Sequence, residues 1–321
     1  MMENVQIVGD RVVFGMQLPI QSQSRLFVSD WELTATVADL AAIATAADRS
    51  GWHYLGVCDH TAIPERLVGA MGAEWYDTVA TLGWLAGQTT NVHLLSHVLI
   101  LNQRHPLRAA KELATLDHLS GGRLIIGVGA GHVNEEFDQL NGPDGYADRG
   151  PATDEAIVAL AALLTDEAPT HVGERWQFSG MHVSPRPVRT PRPPIWVGGS
   201  TPPALRRAAR LGDGWLPQGT RRADLPGQIA QLRAYRDEFR DGAPIDIGTI
   251  AEPCHVDLGG GRDGLPSYTM VGSAEQIAAS YRELIDMGVN HLQIALRARS
   301  AGEFVEQTLA FGETVGPLLT N

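Results

Sequence analysis

Acid–base chemistry is easiest to look for where a carboxylate stands beside an imidazole. The stretch GWHYLGVCDH (51–60) ends in Asp59 and His60, directly after a short apolar run. Such a pair can serve as a proton donor or acceptor near neutral pH. It can equally be a buried carboxylate satisfied by its neighbour, so the pair alone decides nothing. A second stretch, GVGAGH (127–132), is glycine-rich at the end of another apolar run. It fails as a dinucleotide fingerprint, because His132 occupies the third glycine position of GxGxxG. Its glycines suit either a turn with positive φ or close approach of backbone to a flat ring. In WVGGSTPPALRRAAR (196–210), two glycines and a Ser–Thr step lead from a strand into a helix. Free N–H groups at the helix start and the hydroxyls of Ser200 and Thr201 favour a bound phosphate. The simpler alternative is that one hydroxyl caps the helix.

Other chemistries find less support. There is no HExxH, CxxC or EF-hand loop, and the histidines fall on different predicted strands, so no metal is expected. A GxSxG elbow is absent, which argues against a serine nucleophile. Lys111 is the only lysine, so a Schiff base elsewhere in the chain is excluded. His53, His105, His118, His171, His182, His255 and His291 are read as surface or packing residues, and EWYDT (74–78) as core. The clusters NEEFD (134–138) and RDEFRDG (236–242) read as solvated faces.

The elements that must position these residues follow from hydropathy patterning. Strand patterns at RVVFGMQLP, YLGVCD, NVHLLSHVLIL, RLIIGVG, PIWVGG, GWLPQ, IDIGTIAEPCHVDL and HLQIAL alternate with helical ones. The first helix is expected over 31–51, and later ones include PLRAAKELATLDHLSGG, with proline in its first turn and glycines at its close. Segment 166–194 breaks the pattern and reads as a hairpin and a proline-rich loop outside it. Eight strand–helix units with unalternating apolar strands predict an α/β fold, a parallel (β/α)8 TIM barrel with insertions. We expect one domain over 1–321. An open doubly wound sheet is the alternative, but its glycine fingerprint should follow the first strand and does not.

Barrel chemistry sits at the C-terminal ends of strands. That rule collects Gln17 and Pro19, Asp59 and His60, His97, Gly129 to His132, Gly198 to Thr201, Gln218 and Glu252 on one rim. The chain has 321 residues, 44% of them hydrophobic, enough for a large core. Its net charge of -12 and pI near 5.3 argue against nucleic acid or an anionic membrane surface as partner. Only Cys58 and Cys254 are cysteines, which suggests a reducing compartment. With no signal-peptide pattern and no apolar run near the ~20 residues of a membrane span, a cytoplasmic location is expected.

Taken in order, FGMQLP, GWHYLGVCDH, RHPLRAAKELATLDHLSGGRLIIGVGAGHVNEEF, DEAIVALAALLT and PRPPIWVGGSTPPALRRAARLGDGW resemble the bacterial-luciferase-like flavin and deazaflavin oxidoreductases. The likeness covers residues 12–217, more weakly to the end, and is greatest to the branch dependent on coenzyme F420. It implies that Asp59 contacts the cofactor ring and that His60 is the acid/base beside it. It further implies a non-proline cis bond at His97–Val98 behind the ring. Gly129, Ala130 and Gly131 would lie against the cofactor, and Gly198, Gly199, Ser200 and Thr201 would hold its phosphate. Sugar-phosphate dehydrogenases of the family have glutamate where this chain has His132, so that substrate is not carried over. His132 is instead a second proton-relay residue.

The expected activity is hydride transfer between F420 and a small organic substrate, by a homodimer. The alternatives are a two-component monooxygenase using reduced FMN, and a flavin- or deazaflavin-binding protein without turnover.

Overall fold

Strands buried on both faces need a layer on each side, and a sheet closed on itself provides one from its own side chains. The computed structural model describes residues 2–25, 27–142 and 145–320. Its central strands are β1 (Val13–Gln17), β2 (Tyr54–Val57), β3 (His93–Ser96), β4 (Leu124–Gly129), β5 (Ile195–Gly198), β6 (Gly214–Leu216), β7 (Asp246–Ile250) and β8 (His291–Gln293). Each is parallel to its neighbours, β1 pairs with both β2 and β8, and Leu94↔Leu124 between β3 and β4 closes the ring. The result is the expected TIM barrel.

Aromatic side chains fill the barrel interior. Trp196 stacks on His291 with centroids 4.1 Å apart, and Tyr54 meets Trp196 edge-on at 5.6 Å. Gly214 makes room, since a Cβ there would collide with the indole of Trp196. The N-terminal segment crosses the barrel floor. Val5 N–H donates to Asp213 Oδ1 (2.9 Å), and Ile7 N–H to Asp246 Oδ2 (3.2 Å). Arg192 neutralises Asp213 at 2.7 Å.

The structure revises several local expectations. The helix expected over 31–51 is a 3-10 turn (Asp30–Thr34) followed by a helix at Val37–Arg49. The break lies at Thr36, where Asp39 N–H donates to Thr36 Oγ1 and Thr36 N–H to Asp39 Oδ2, a reciprocal cap that restarts the helix. The third strand stops at Ser96 and resumes as Leu99–Ile100, and the His97–Val98 bond between them is cis, as the resemblance implies. IDIGTIAEPCHVDL is two strands, not one. After β7 the chain leaves the barrel, and Cys254–Val256 pairs with Met270–Gly272. Pro253, which has no N–H for the ladder, lies at the break. The 166–194 segment holds an antiparallel hairpin, His171–Val172 with Gln177–Phe178, paired apart from the barrel sheet.

RDEFRDG is not a solvated face throughout. Arg236 and Arg240 are buried, and Arg236 donates to the carbonyls of Ala209, Gly212, Ala243 and Pro244. A long guanidinium stem covers apolar surface while its head satisfies helix-end carbonyls. Among the described residues, no helix is long and apolar enough to cross a membrane.

Candidate active site

The C-terminal ends of the strands surround a cavity of about 650 Å³. Its wall includes Gln17, Asp59, His60, His97, Val98, Gly129, Ala130, Gly131, His132, Gly198, Gly199, Ser200, Thr201 and Gln218. Barrel closure thus brings together residues up to 201 positions apart in the chain. Of the other rim residues, Pro19 lines a neighbouring chamber, and Glu252 instead pairs with Arg222 at 2.9 Å.

His60 is held from one side. Its Nδ1 lies 3.0 Å from Glu136 Oε2, and Nε2 has no protein partner among the described residues. Glu136 Oε1 accepts from the N–H groups of Thr61 (2.5 Å) and Ala62 (3.2 Å). Burial pushes the Glu136 carboxyl up, but the His60 ring and these two N–H groups outweigh it and hold the pKa below the ordinary carboxylate value. An ionised Glu136 places the ring proton on Nδ1 of a neutral His60, which leaves Nε2 as the atom able to take a proton. The Trp75 ring meets His60 edge-on at 4.6 Å, and His132 lies 5.5 Å away. Burial, reinforced by the nearby His60, lowers the His132 pKa and favours its neutral form.

Glu136 corrects the reading of NEEFD as a solvated face. It sits in the first turn of the helix Asn134–Asn141 and is 5% exposed, whereas its neighbour Glu135 pairs with Arg66 at the surface. No local signal separates Glu136 from Glu135; only the direction of the helix, which starts at Asn134, turns one inward and the other out.

Asp59 also differs from expectation. Its Oδ1 accepts from Arg104 Nη2 (2.9 Å) and its Oδ2 from Ile100 N (2.7 Å) and Arg104 Nη1 (2.7 Å), with Thr78 Oγ1 3.1 Å from Oδ1. Arg104 and the Ile100 N–H therefore engage both oxygens, whereas the single hydroxyl hydrogen of Thr78 goes to the Cys58 carbonyl at 2.5 Å, so most but not all of the carboxylate's accepting capacity is taken. Burial alone would lower the Arg104 pKa, but the Asp59 charge and hydrogen bonds outweigh it and raise it, so Arg104 stays charged. Asp59 therefore braces the wall behind His60. Sequence reading missed Arg104, which lies 45 positions from Asp59 and has no local pattern linking them.

Val98 separates the two glycine strand ends. A Cβ on Gly129 would lie 2.5 Å from Val98 Cγ2, and one on Gly198 would lie 3.0 Å from Val98 Cγ1. Gly131 takes φ +78 and packs on Phe137, where a Cβ would lie 2.6 Å from the ring. The turn reading of GVGAGH therefore holds at Gly131. His97 is buried, and desolvation pushes its pKa down to about 4, partly offset by its own backbone and the Gln293 amide. Neither His97 Nδ1 nor Gln293 Oε1 meets a partner in hydrogen-bond geometry, whereas His97 Nε2 lies 3.4 Å from Gln218 Nε2.

The expected phosphate site is poorer in donors than expected. The helix Pro202–Leu211 begins with two prolines, which have no N–H, and Leu205 N–H is taken by the Thr201 carbonyl. Ser200 Oγ is engaged by Thr220 Oγ1 (2.6 Å) and Gln218 N–H (2.9 Å), whereas Thr201 is exposed and makes no side-chain cap bond. Positive charge enters instead from Arg149 and Arg207, which line the same cavity. Arg207 pairs with Asp154, whereas Arg149 lies over the Tyr146 ring at 3.8 Å with no carboxylate partner among the described residues. No cluster of three metal-ligating side chains occurs among the described residues.

A closed parallel barrel with a braced histidine and a glycine-walled cleft at its C-terminal mouth defines a barrel with an enzyme-like site. The chain belongs to the luciferase-like monooxygenase family, whose model matches residues 13–258. Members of that family are oxidoreductases and monooxygenases. An uncharacterized protein of Mycobacterium tuberculosis is 28% identical over 301 residues, which span 89% of this chain and 96% of that one. The FMNH2-dependent dimethylsulfone monooxygenase of Pseudomonas putida is 28% identical over 212 residues, 65% of this chain and 56% of that enzyme. The structure of an F420-dependent secondary alcohol dehydrogenase, in complex with an F420-acetone adduct, superposes with a TM-score of 0.76. It is 16% identical and covers 97% of this chain and 100% of its own.

Proposed function

We propose that this chain is an oxidoreductase that moves a hydride between coenzyme F420 and a small organic substrate, with His60 as the acid/base. The observation that carries the proposal is the geometry of His60: Nδ1 on Glu136, Nε2 free, in the wall of a cavity also bounded by Val98 and the glycine strand ends. The cavity volume of about 650 Å³ lies within the ordinary range for organic ligands. Val98 offers an apolar face to a flat ring, and His97 Nδ1 is a buried polar atom still lacking a partner. Arg149, Arg207, Gly199 and Thr201 would hold a phosphate at the other end. Bound there, a deazaflavin would supply a two-electron hydride donor or acceptor.

The remaining work falls to the chain. Hydride addition to a carbonyl carbon requires a proton at its oxygen, and oxidation of the alcohol requires that proton to leave. His60 Nε2 would carry this proton, while Glu136 fixes the ring and stabilises the imidazolium. His132 would relay the proton onward. The pair Asp59–Arg104 keeps the strand end rigid beneath His60.

A second reading, oxygenation with reduced FMN, is supported by the likeness to the Pseudomonas putida monooxygenase. Fluorescence titration of the purified protein with F420 and with FMN separates the two. The proposal expects F420 to bind more tightly and to be reduced or oxidised anaerobically in the presence of substrate. Tight FMN binding with substrate-dependent oxygen uptake would replace it, and failure to bind either would remove both readings.

A further inference from the structure

Beside the large cleft lies a second chamber of about 170 Å³. Gln17, Ser22, Phe27 and Gln218 line both, so the two adjoin at the barrel mouth. Its wall is mixed: apolar side chains such as Leu18, Ile294 and Phe304 share it with the charged residues Glu32 and Arg297. A cavity of roughly 150 Å³ has room for one benzene ring.

The two charged residues differ in what they lack. Both Glu32 oxygens are engaged, Oε1 by the Ser29 N–H (2.8 Å) and Oε2 by the Ile20 N–H (2.9 Å). Arg297 is only partly engaged. Its Nη1 donates to the Phe27 carbonyl at 2.9 Å, and its guanidinium carbon lies 6.0 Å from the centre of the Tyr268 ring. Nε is buried with no hydrogen-bond partner, and no carboxylate pairs with the guanidinium among the described residues. Gln293 Oε1, the other unpartnered atom among the wall residues, belongs to the amide beside His97. What Arg297 needs is an acceptor, because a charged donor left unmet out of water is costly. Nε and Nη2 share one edge of the planar guanidinium, and the spacing of their N–H groups matches the two oxygens of a carboxylate.

We propose that this chamber binds the acid end of the substrate. An organic carboxylate sits on the Nε–Nη2 edge of Arg297, and its reacting carbon reaches the large cleft across the shared wall. Arg297 is half-buried and held by one hydrogen bond, so a side-chain torsion presents that edge to the chamber. Glu32 supplies the opposing force, a like charge in the same wall that is kept in place by its two backbone donors. The assignment rests on reading the large cleft as the flavin or deazaflavin site. It adds that the second reactant is a carboxylic acid, no wider at its acid end than one six-membered ring.

Calorimetric titration in slightly alkaline buffer compares cyclohexanecarboxylate with its neutral isostere cyclohexanecarboxamide, with and without F420 or FMN. The acid is expected to bind roughly tenfold more tightly or better, the scale of one hydrogen bond to a charged group. Arg297→Gln should remove that preference. Glu32→Gln deletes the like charge and should strengthen acid binding while leaving the amide unchanged. Opposite signs in the two variants distinguish charge from packing, since a distorted loop would weaken acid and amide alike. Cofactor fluorescence titrations of both variants should match the wild type, because neither residue lines the large cleft.

The two titrations judge different things. An acid bound no more tightly than the amide would overturn the subsite. So would an Arg297→Gln protein that keeps the preference, or a Glu32→Gln protein that loses acid affinity. Loss of F420 and FMN binding in the wild type would instead overturn the reading of the large cleft, and the cofactor-free titrations would still judge Arg297.

Discussion

Replacing Glu136 by glutamine removes one charge and almost no volume. The glutamine carbonyl can still accept from Thr61 and Ala62 N–H, so the turn after β2 should hold. What changes is the bond to His60, 3.0 Å long in the wild type. An amide NH2 facing Nδ1 turns that atom into an acceptor and moves the ring proton to Nε2, on the substrate side. The imidazolium formed during proton transfer also loses its carboxylate. A hydrogen bond to a charged partner contributes roughly 1.5–3 kcal/mol net. At about 1.4 kcal/mol per factor of ten, turnover should fall roughly 10- to 150-fold. Cofactor affinity should change little, because Glu136 serves the ring through His60. Steady-state kcat and cofactor titration check these two expectations, and nitrogen-resolved NMR of the imidazole reads the tautomer without needing a substrate. Glu135→Gln is the control, since Glu135 pairs with exposed Arg66 and should leave turnover untouched. If Glu136→Gln keeps wild-type turnover and the Nδ1–H tautomer, the argument that Glu136 positions His60 is wrong.

His60→Ala should cost more, roughly 10²–10⁴-fold in turnover, with F420 affinity falling far less; equal losses in both would make His60 a binding residue. Arg104→Met leaves the buried Asp59 carboxylate without its cation, and chemical denaturation should show a loss of about 3–5 kcal/mol. Removing the charge as well, in Asp59→Asn/Arg104→Met, should recover part of it, and no recovery would refute the charge argument. Gly129→Ala forces a Cβ to within 2.5 Å of Val98 Cγ2, an overpacking that should cost about 1–3 kcal/mol and weaken cofactor binding. Acid should destabilise the fold well above the carboxylate range. Burial lowers the pKa of His97 and His93 to about 4, and of His53 and His291 to about 3. Between those values and the ordinary 6.5, the unfolded chain binds protons that the folded chain refuses. Stability is therefore greatest above that range and is lost as pH falls through it. A melting temperature that stays constant from pH 7 to 4.5 would contradict this.

The barrel was legible in the sequence because its information is local. A strand buried on both faces must be apolar throughout, as in LIIGVG, and a helix announces itself through proline at its start and glycine past its end. The strand-end rule then marked His60, His132 and the two glycine steps, since position on a barrel rim follows from strand order alone. Pairings were not legible. Glu136 and Glu135 are neighbours of identical composition, yet the helix Asn134–Asn141 turns one beneath His60 and the other outward to Arg66. Asp59 looked available until the chain from Leu99 onward carried Ile100 N–H and Arg104 to its oxygens. Hydrogen-bond capacity is a property of a residue, but whether it is already filled depends on which chain segments the closed barrel brings within 3 Å. That is why sequence could nominate the acid/base pair, whereas only tertiary structure showed that His60's carboxylate partner is Glu136 and that Asp59 is committed to Arg104.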